Sequence, residues 1–137
     1  MATSKVLYTS ELRTEAQHLF SGVRITTDAP LDNQGRAEYF SPTDLAATSL
    51  ACCMLTIIGI SARTYGFSID GTEAEVTKVM YSNPRRIGEI HIDYHFPDIR
   101  YSVKEKKIIE AAGRTCPIAL SLHPDLKQEI RFLYKDR

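Results

Sequence analysis

A chain of 137 residues with 17 Lys+Arg against 17 Asp+Glu is formally neutral and long enough for one ordinary core, so residues 1–137 are expected to form a single domain. No Lys/Arg-rich run or one-sided basic helix occurs, so neither a nucleic-acid nor an anionic-membrane partner is expected. The three cysteines, adjacent at Cys52 and Cys53 and distant at Cys116, fit neither a disulfide framework nor a zinc ribbon, and the start Met1-Ala-Thr-Ser-Lys-Val lacks the basic and apolar parts of a secretory signal, which implies a reducing, cytoplasmic setting.

Leu12, Thr14, Ala16, His18 and Phe20 alternate with Arg13, Glu15, Gln17 and Leu19, which predicts a strand, and Ser21-Gly22 can turn it into Val23-Arg24-Ile25 as a hairpin. Asp28 to Tyr39 reads as a long loop from its Pro, Gly, Asn and Asp content. Ser41 then suits a helix cap, with Pro42 at the first position, Asp44 at the capping-box position, and Phe40 and Leu45 spaced as a hydrophobic staple. The helix should run to about Tyr65, where Gly66 suits a left-handed end.

That helix is nearly apolar all round. Its length approaches the roughly 20 residues that span a bilayer, but Thr48, Ser49, Thr56 and Ser61 dilute it, and a buried central helix is expected rather than a membrane span. Burial on every side needs partners on every side, which one small sheet cannot supply. A second copy of the chain is therefore expected to form the other wall, giving a homodimer.

Strands follow around Glu73 to Tyr81 and through Ile90, Ile92, Tyr94 and Phe96, which alternate with His91, Asp93 and His95. Ser102 with Glu105 opens an amphipathic helix that Gly113 ends. Cys116-Pro117 starts a short helix, and Leu126, Gln128, Ile130, Phe132 and Tyr134 form a last strand. This order implies an α+β domain with antiparallel pairing.

Cysteine in an apolar helix is most often a small core residue, and Cys52 is read so. Cys116 directly precedes a proline at a helix start, where unpaired N–H groups and the helix dipole favour a thiolate. If Cys53 and Cys116 meet, Cys53 can attack a peroxide, become a sulfenic acid, and be resolved by Cys116 into a disulfide that an external thiol must reduce. No metal and no bound cofactor is required. Peroxide cleavage also wants a cation to keep the thiolate ionised and an orienting carboxylate; Arg36 and Glu38 on the long loop are the candidates, with Arg24 next. His91 and His95, four residues apart on a strand, lie roughly 13 Å from one another, too far for one metal ion, and are read as solvent-facing. No phosphate loop, nucleophile elbow or metalloprotease helix is present.

Phe40-Ser-Pro-Thr-Asp-Leu-Ala-Ala-Thr-Ser-Leu-Ala-Cys-Cys-Met-Leu-Thr resembles the helix signature of the OsmC/Ohr family, and Cys116-Pro-Ile-Ala resembles its second cysteine motif. In that family the reactive cysteine lies eleven positions after the helix proline, which from Pro42 selects Cys53 over Cys52. The resemblance covers nearly the whole chain. It implies an OsmC-like α+β fold, with antiparallel sheets around a long central apolar helix in an intertwined homodimer whose active sites lie at the subunit interface. It also implies a cysteine-based, peroxiredoxin-like reduction of organic hydroperoxides with Cys53 peroxidatic and Cys116 resolving, an apolar pocket near Leu50, Met54 and Ile57, and a lipoyl-type dithiol as external reductant. One position departs: family enzymes commonly carry glutamate after the helix proline, where this chain has Thr43 beside Asp44, as in a divergent branch. The alternative is a redox-sensing or ligand-binding dimer that forms the same disulfide with little turnover.

Overall fold

A computed structural model of the chain describes residues 1–135. They group into two compact units, Met1–Ala46 and the chain from Ala47 onward. The first holds three antiparallel strands in the order β1 (Ser4–Ser10), β2 (Arg13–His18), β3 (Arg24–Thr27). The predicted β2–β3 hairpin is present, closed by His18 and Val23 backbone bonding at 2.8 Å.

β1 was not expected. It joins β2 through Glu11 and Leu12, both at positive φ (52° and 65°), a turn whose backbone matches strand twist but is usually built from Asn and Gly. Leu12, read as the start of a strand, therefore lies in the turn. Val6, Leu7 and Tyr8 are exposed along β1, so no alternation marks it in sequence. The loop after β3 carries one 3-10 turn, Leu31–Asn33.

Helix α1 runs Pro42–Tyr65, the predicted span. At its start the Ser41 hydroxyl accepts from the Asp44 N–H (3.0 Å) while the Asp44 carboxylate accepts from the Ser41 N–H (2.9 Å), a reciprocal box that satisfies two otherwise unpaired donors. At its end Gly66 takes φ 79°, and the N–H groups of Phe67 and Gly66 return to the carbonyls of Ala62 and Arg63, the Schellman arrangement that glycine permits.

The second unit is built on α1 from Ala47 onward. Its sheet has the order β4 (Glu73–Tyr81), β5 (Arg86–His95), β6 (Lys127–Leu133), with α2 (Val103–Gly113) and α3 (Pro117–Ser121) between β5 and β6. β4 and β5 pair antiparallel, but β5 and β6 run parallel, which corrects the expectation of antiparallel pairing throughout. Two helices in the connection return the chain to the same end of the sheet, the crossover that parallel neighbours require. The α+β class stands.

Ala47, Leu50, Ala51, Met54, Ile58 and Ala62 of α1 are buried with Ile90, Ile92, Tyr94 and Phe96 of the β5 row and Ile109 and Ala112 of α2. Within one chain α1 is thus one-sided, not buried all round: Cys52, Thr56, Ile60 and Arg63 are exposed. Ser102 caps α2 through a full capping box with Glu105, as expected. Gly113 is its last helical residue and serves close approach, because a Cβ there would lie 3.3 Å from the Phe132 ring and 3.5 Å from Ile58.

Leu50→Ala should cost about 2–5 kcal/mol, a transfer loss plus a cavity, against about 1 kcal/mol for the cap change Ser41→Ala. Urea midpoints of the two variants check the order; a larger loss for Ser41→Ala would contradict the packing described.

Candidate active site

The sequence of α1 decides where its cysteines point. Successive helical residues are turned by about 100°, so with Ala51 and Met54 facing the core, Cys52 is exposed while Cys53 lies half-buried on the flank, packed against the core. Cys116 caps α3 in extended conformation (φ −69°, ψ 141°), and its Sγ accepts from the Ala119 N–H at 3.2 Å. It is fully buried. Cys53 packs against the core that contains Cys116 and lies near enough to push the Cys116 thiol pKa up, and all three cysteines are free thiols.

The two expected site cysteines are therefore brought together across 63 positions of chain, with Cys52 directed away. The expectation that the start of α3 favours a Cys116 thiolate is not met. Burial pushes its pKa up, the Ala119 N–H pulls it down, Cys53 pushes it up again, and the net shift is upward; a five-residue helix offers too little dipole to outweigh desolvation. Leu50 and Met54, expected to line a pocket, are spent in the core, and Ile57 is half-buried.

Tyr94 is the neighbour that sequence alone hid. Its alternation with His91 and His95 marks it as core, but its hydroxyl donates to the Ala51 carbonyl at 3.0 Å within the buried interior. Burial first, then the nearby Cys116, Cys52 and Cys53 side chains, raise the Tyr94 pKa.

In the first unit the expected accessory residues keep different company. Arg36 is 70% exposed and stands 3.8 Å from Glu38. Arg13, read only as a strand residue, pairs with Glu38 at 2.7 Å and Asp28 at 3.5 Å, and its guanidinium lies over the Tyr39 ring. Arg24 pairs with Glu15 at 2.9 Å on the sheet surface. Asp28 is buried and accepts N–H bonds from Ala29 (2.8 Å) and Glu38 (3.1 Å). Burial raises its pKa, but the backbone donors of Glu38 and Ala29, Arg13 and the Arg36 backbone outweigh it, and the net shift is downward. The signal available in sequence was Asp28-Ala-Pro, a side chain placed to bond the backbone just after it; its pairing with Arg13 is long-range and was not legible.

His91 and His95 lie on the outer face of the second unit's sheet. His91 bonds Glu89 at 2.8 Å and His95 stands 2.7 Å from Glu75, both partly exposed, consistent with a solvated face. Among the described residues no group of three or more His, Cys, Asp or Glu side chains could hold a metal ion.

Two outcomes follow. Native-state alkylation with iodoacetamide, read by peptide mass spectrometry, should modify Cys116 last, since it is buried and its thiol is held protonated; early labelling of Cys116 would contradict its placement. Asp28 has a folded pKa below its unfolded value, so its stabilising effect is present above the unfolded pKa and lost as pH falls through the folded one. Asp28→Asn should therefore lower stability at neutral pH and remove that part of the acid loss, measured by urea midpoints between neutral and acid pH.

Comparison with known proteins bears on the family and the fold. The family model described as OsmC-like protein matches residues 33–131. A crystal structure from Psychrobacter arcticus 273-4, provisionally described as an osmotic stress induced and detoxification response protein, is 55% identical over 96% of each chain, with a TM-score of 0.92. The organic hydroperoxide resistance protein OsmC of Legionella pneumophila shares the fold at 13% identity, covering 97% of this chain and 98% of that one (TM-score 0.75). So does an organic hydroperoxide resistance protein of Elizabethkingia anophelis, at 13% identity over 98% of each chain (TM-score 0.70). No protein of curated function matches the chain. By the extent of the family match and the close structural relative, the chain belongs to the OsmC-like family.

Proposed function

We propose that the protein is a thiol peroxidase that reduces organic hydroperoxides to alcohols. The observation that carries this reading is the placement of half-buried Cys53 against the core that holds buried Cys116, near enough to perturb its thiol. The Cys53 thiolate attacks the terminal peroxide oxygen; the O–O bond breaks, the alkoxide leaves and takes a proton as the alcohol, and Cys53 is left as the sulfenic acid. Cys116 then attacks the Cys53 sulfur, its proton and the displaced hydroxide leave as water, and a Cys53–Cys116 disulfide remains. An external dithiol reduces it by exchange, itself becoming a disulfide. No bound cofactor enters.

Relatives named for organic hydroperoxide resistance share the fold, which supports the substrate class. Arg36 and Glu38 remain the proposed accessory pair, with Arg13 as the competing cation because it makes the shorter ion pair to Glu38. The proposal also carries a homodimer, for which the exposure of the apolar side chain of Ile60 (57%) on the outer face of α1 speaks, and a cytoplasmic location. A second reading, a redox sensor or ligand-binding dimer with little turnover, is favoured by Thr43 at the position where family enzymes commonly carry glutamate.

Consumption of cumene hydroperoxide and hydrogen peroxide with dihydrolipoamide as reductant separates the readings. The proposal expects sustained turnover that prefers cumene hydroperoxide, falls to background in Cys53→Ser, and in Cys116→Ser stalls after about one equivalent. Stalling of the unaltered protein would establish the sensor, and turnover by Cys53→Ser would refute the assignment. Arg36→Met should lower turnover more than Arg13→Met; the reverse order moves the cation to Arg13. Because the Cys116 thiol is held protonated, disulfide formation after oxidation should accelerate as pH rises from neutral toward its raised pKa.

A further inference from the structure

The core-facing row of β5 and the residue after it is Ile90, Ile92, Tyr94 and Phe96, all fully buried. Three are hydrocarbons. The fourth carries a hydroxyl, whose burial is costly unless it is bonded. The fold bonds it to the Ala51 carbonyl, 43 residues away in sequence. In an α-helix that carbonyl already accepts the N–H four residues on, so the phenol takes its second lone pair, and the helix itself does not depend on the bond.

Ala51 is the residue before the Cys52-Cys53 pair. The bond thus ties the turn of α1 that carries Cys53 to the strand beside Cys116, and the Tyr94 ring is held by stacking on Phe132 (centroids 5.8 Å, 22°). Disulfide closure requires the two Cβ atoms within about 3.5–4.5 Å and a narrow dihedral range, and misplacement of reacting groups by about 1 Å can cost about 100-fold in rate.

We propose that Tyr94 is a positioning residue for disulfide closure, its hydroxyl fixing the Ala51–Cys53 turn so that the Cys53 sulfur stays within reach of Cys116. It acts on the second chemical step, in which the Cys116 thiol displaces water from the Cys53 sulfenic acid, and not on peroxide attack. This rests on the roles of Cys53 and Cys116 proposed above.

The variant is Tyr94→Phe, which keeps the ring and leaves the Ala51 carbonyl its helical donor. One equivalent of cumene hydroperoxide is added without reductant, and sulfenic acid is counted by dimedone trapping over time. The rate of Cys53 oxidation should be unchanged, while the sulfenic acid persists about 10-fold longer, the worth of one buried hydrogen bond. In equilibrium with reduced and oxidised dithiothreitol, the Cys53–Cys116 pair should shift toward the dithiol by a similar factor. Phe132→Leu is the packing control: it loosens the stack without touching the hydroxyl.

Unchanged sulfenic-acid lifetime in Tyr94→Phe overturns the inference, as does an equal lengthening in Phe132→Leu. If peroxide fails to oxidise Cys53 in the unaltered protein, the peroxidase reading fails, and the dithiothreitol equilibrium still decides the role of Tyr94: a shift upholds it, no shift overturns it.

Discussion

The seating of α1 on the β4–β5–β6 sheet is the constraint from which the chemistry follows. Ala47, Leu50, Ala51, Met54, Ile58 and Ala62 recur at helical spacing and form one buried stripe. Once that stripe is fixed, the rotation of every other residue is fixed with it: Cys52 turns outward, and Cys53 comes to the edge of the core. The second cysteine arrives by a different constraint. A parallel β6 requires a crossover from β5, and the crossover's last helix begins at Cys116, beneath the flank of α1.

The resulting pair is asymmetric. Cys53 is half-buried and Cys116 fully buried with its pKa pushed up, an asymmetry that accords with the roles proposed for them. A thiolate at both positions would place two like charges in contact within the interior, an arrangement that desolvation penalises heavily. The first unit shows the opposite treatment of a buried acid. Asp28 is kept ionised by convergent N–H donors and the Arg13 guanidinium, and it pins the loop that carries Arg36 and Glu38.

Most of the fold was legible where local chemistry determines it. Ser41, Pro42, Asp44 and Gly66 announce α1 because capping is settled within a few residues, and the period of Ile90, Ile92, Tyr94 and Phe96 announces β5. What was not legible depends on distant partners or on unusual residues. β1 was missed because Glu11 and Leu12 occupy positive φ without glycine or asparagine, and because its side chains are exposed. The parallel sense of β6 depends on how α2 and α3 return the chain. At the site, motif spacing selected Cys53 and Cys116, but Arg13 and Tyr94 look in sequence like ordinary strand residues, since their hydrogen-bond partners are 15 and 43 positions away. Which cation makes the shorter ion pair to Glu38 was not legible for the same reason, since nearness in sequence to α1 does not decide it.

The central claim is that Cys53 and Cys116, and not Cys52, form the reactive pair. Treating the reduced protein with one equivalent of cumene hydroperoxide, blocking remaining thiols and mapping the peptides by mass spectrometry tests it directly. The account predicts a single cross-link, Cys53 to Cys116, two hydrogens lighter than the dithiol, with Cys52 recovered blocked. A cross-link through Cys52, or Cys116 recovered as a free thiol while Cys53 is oxidised, would contradict it.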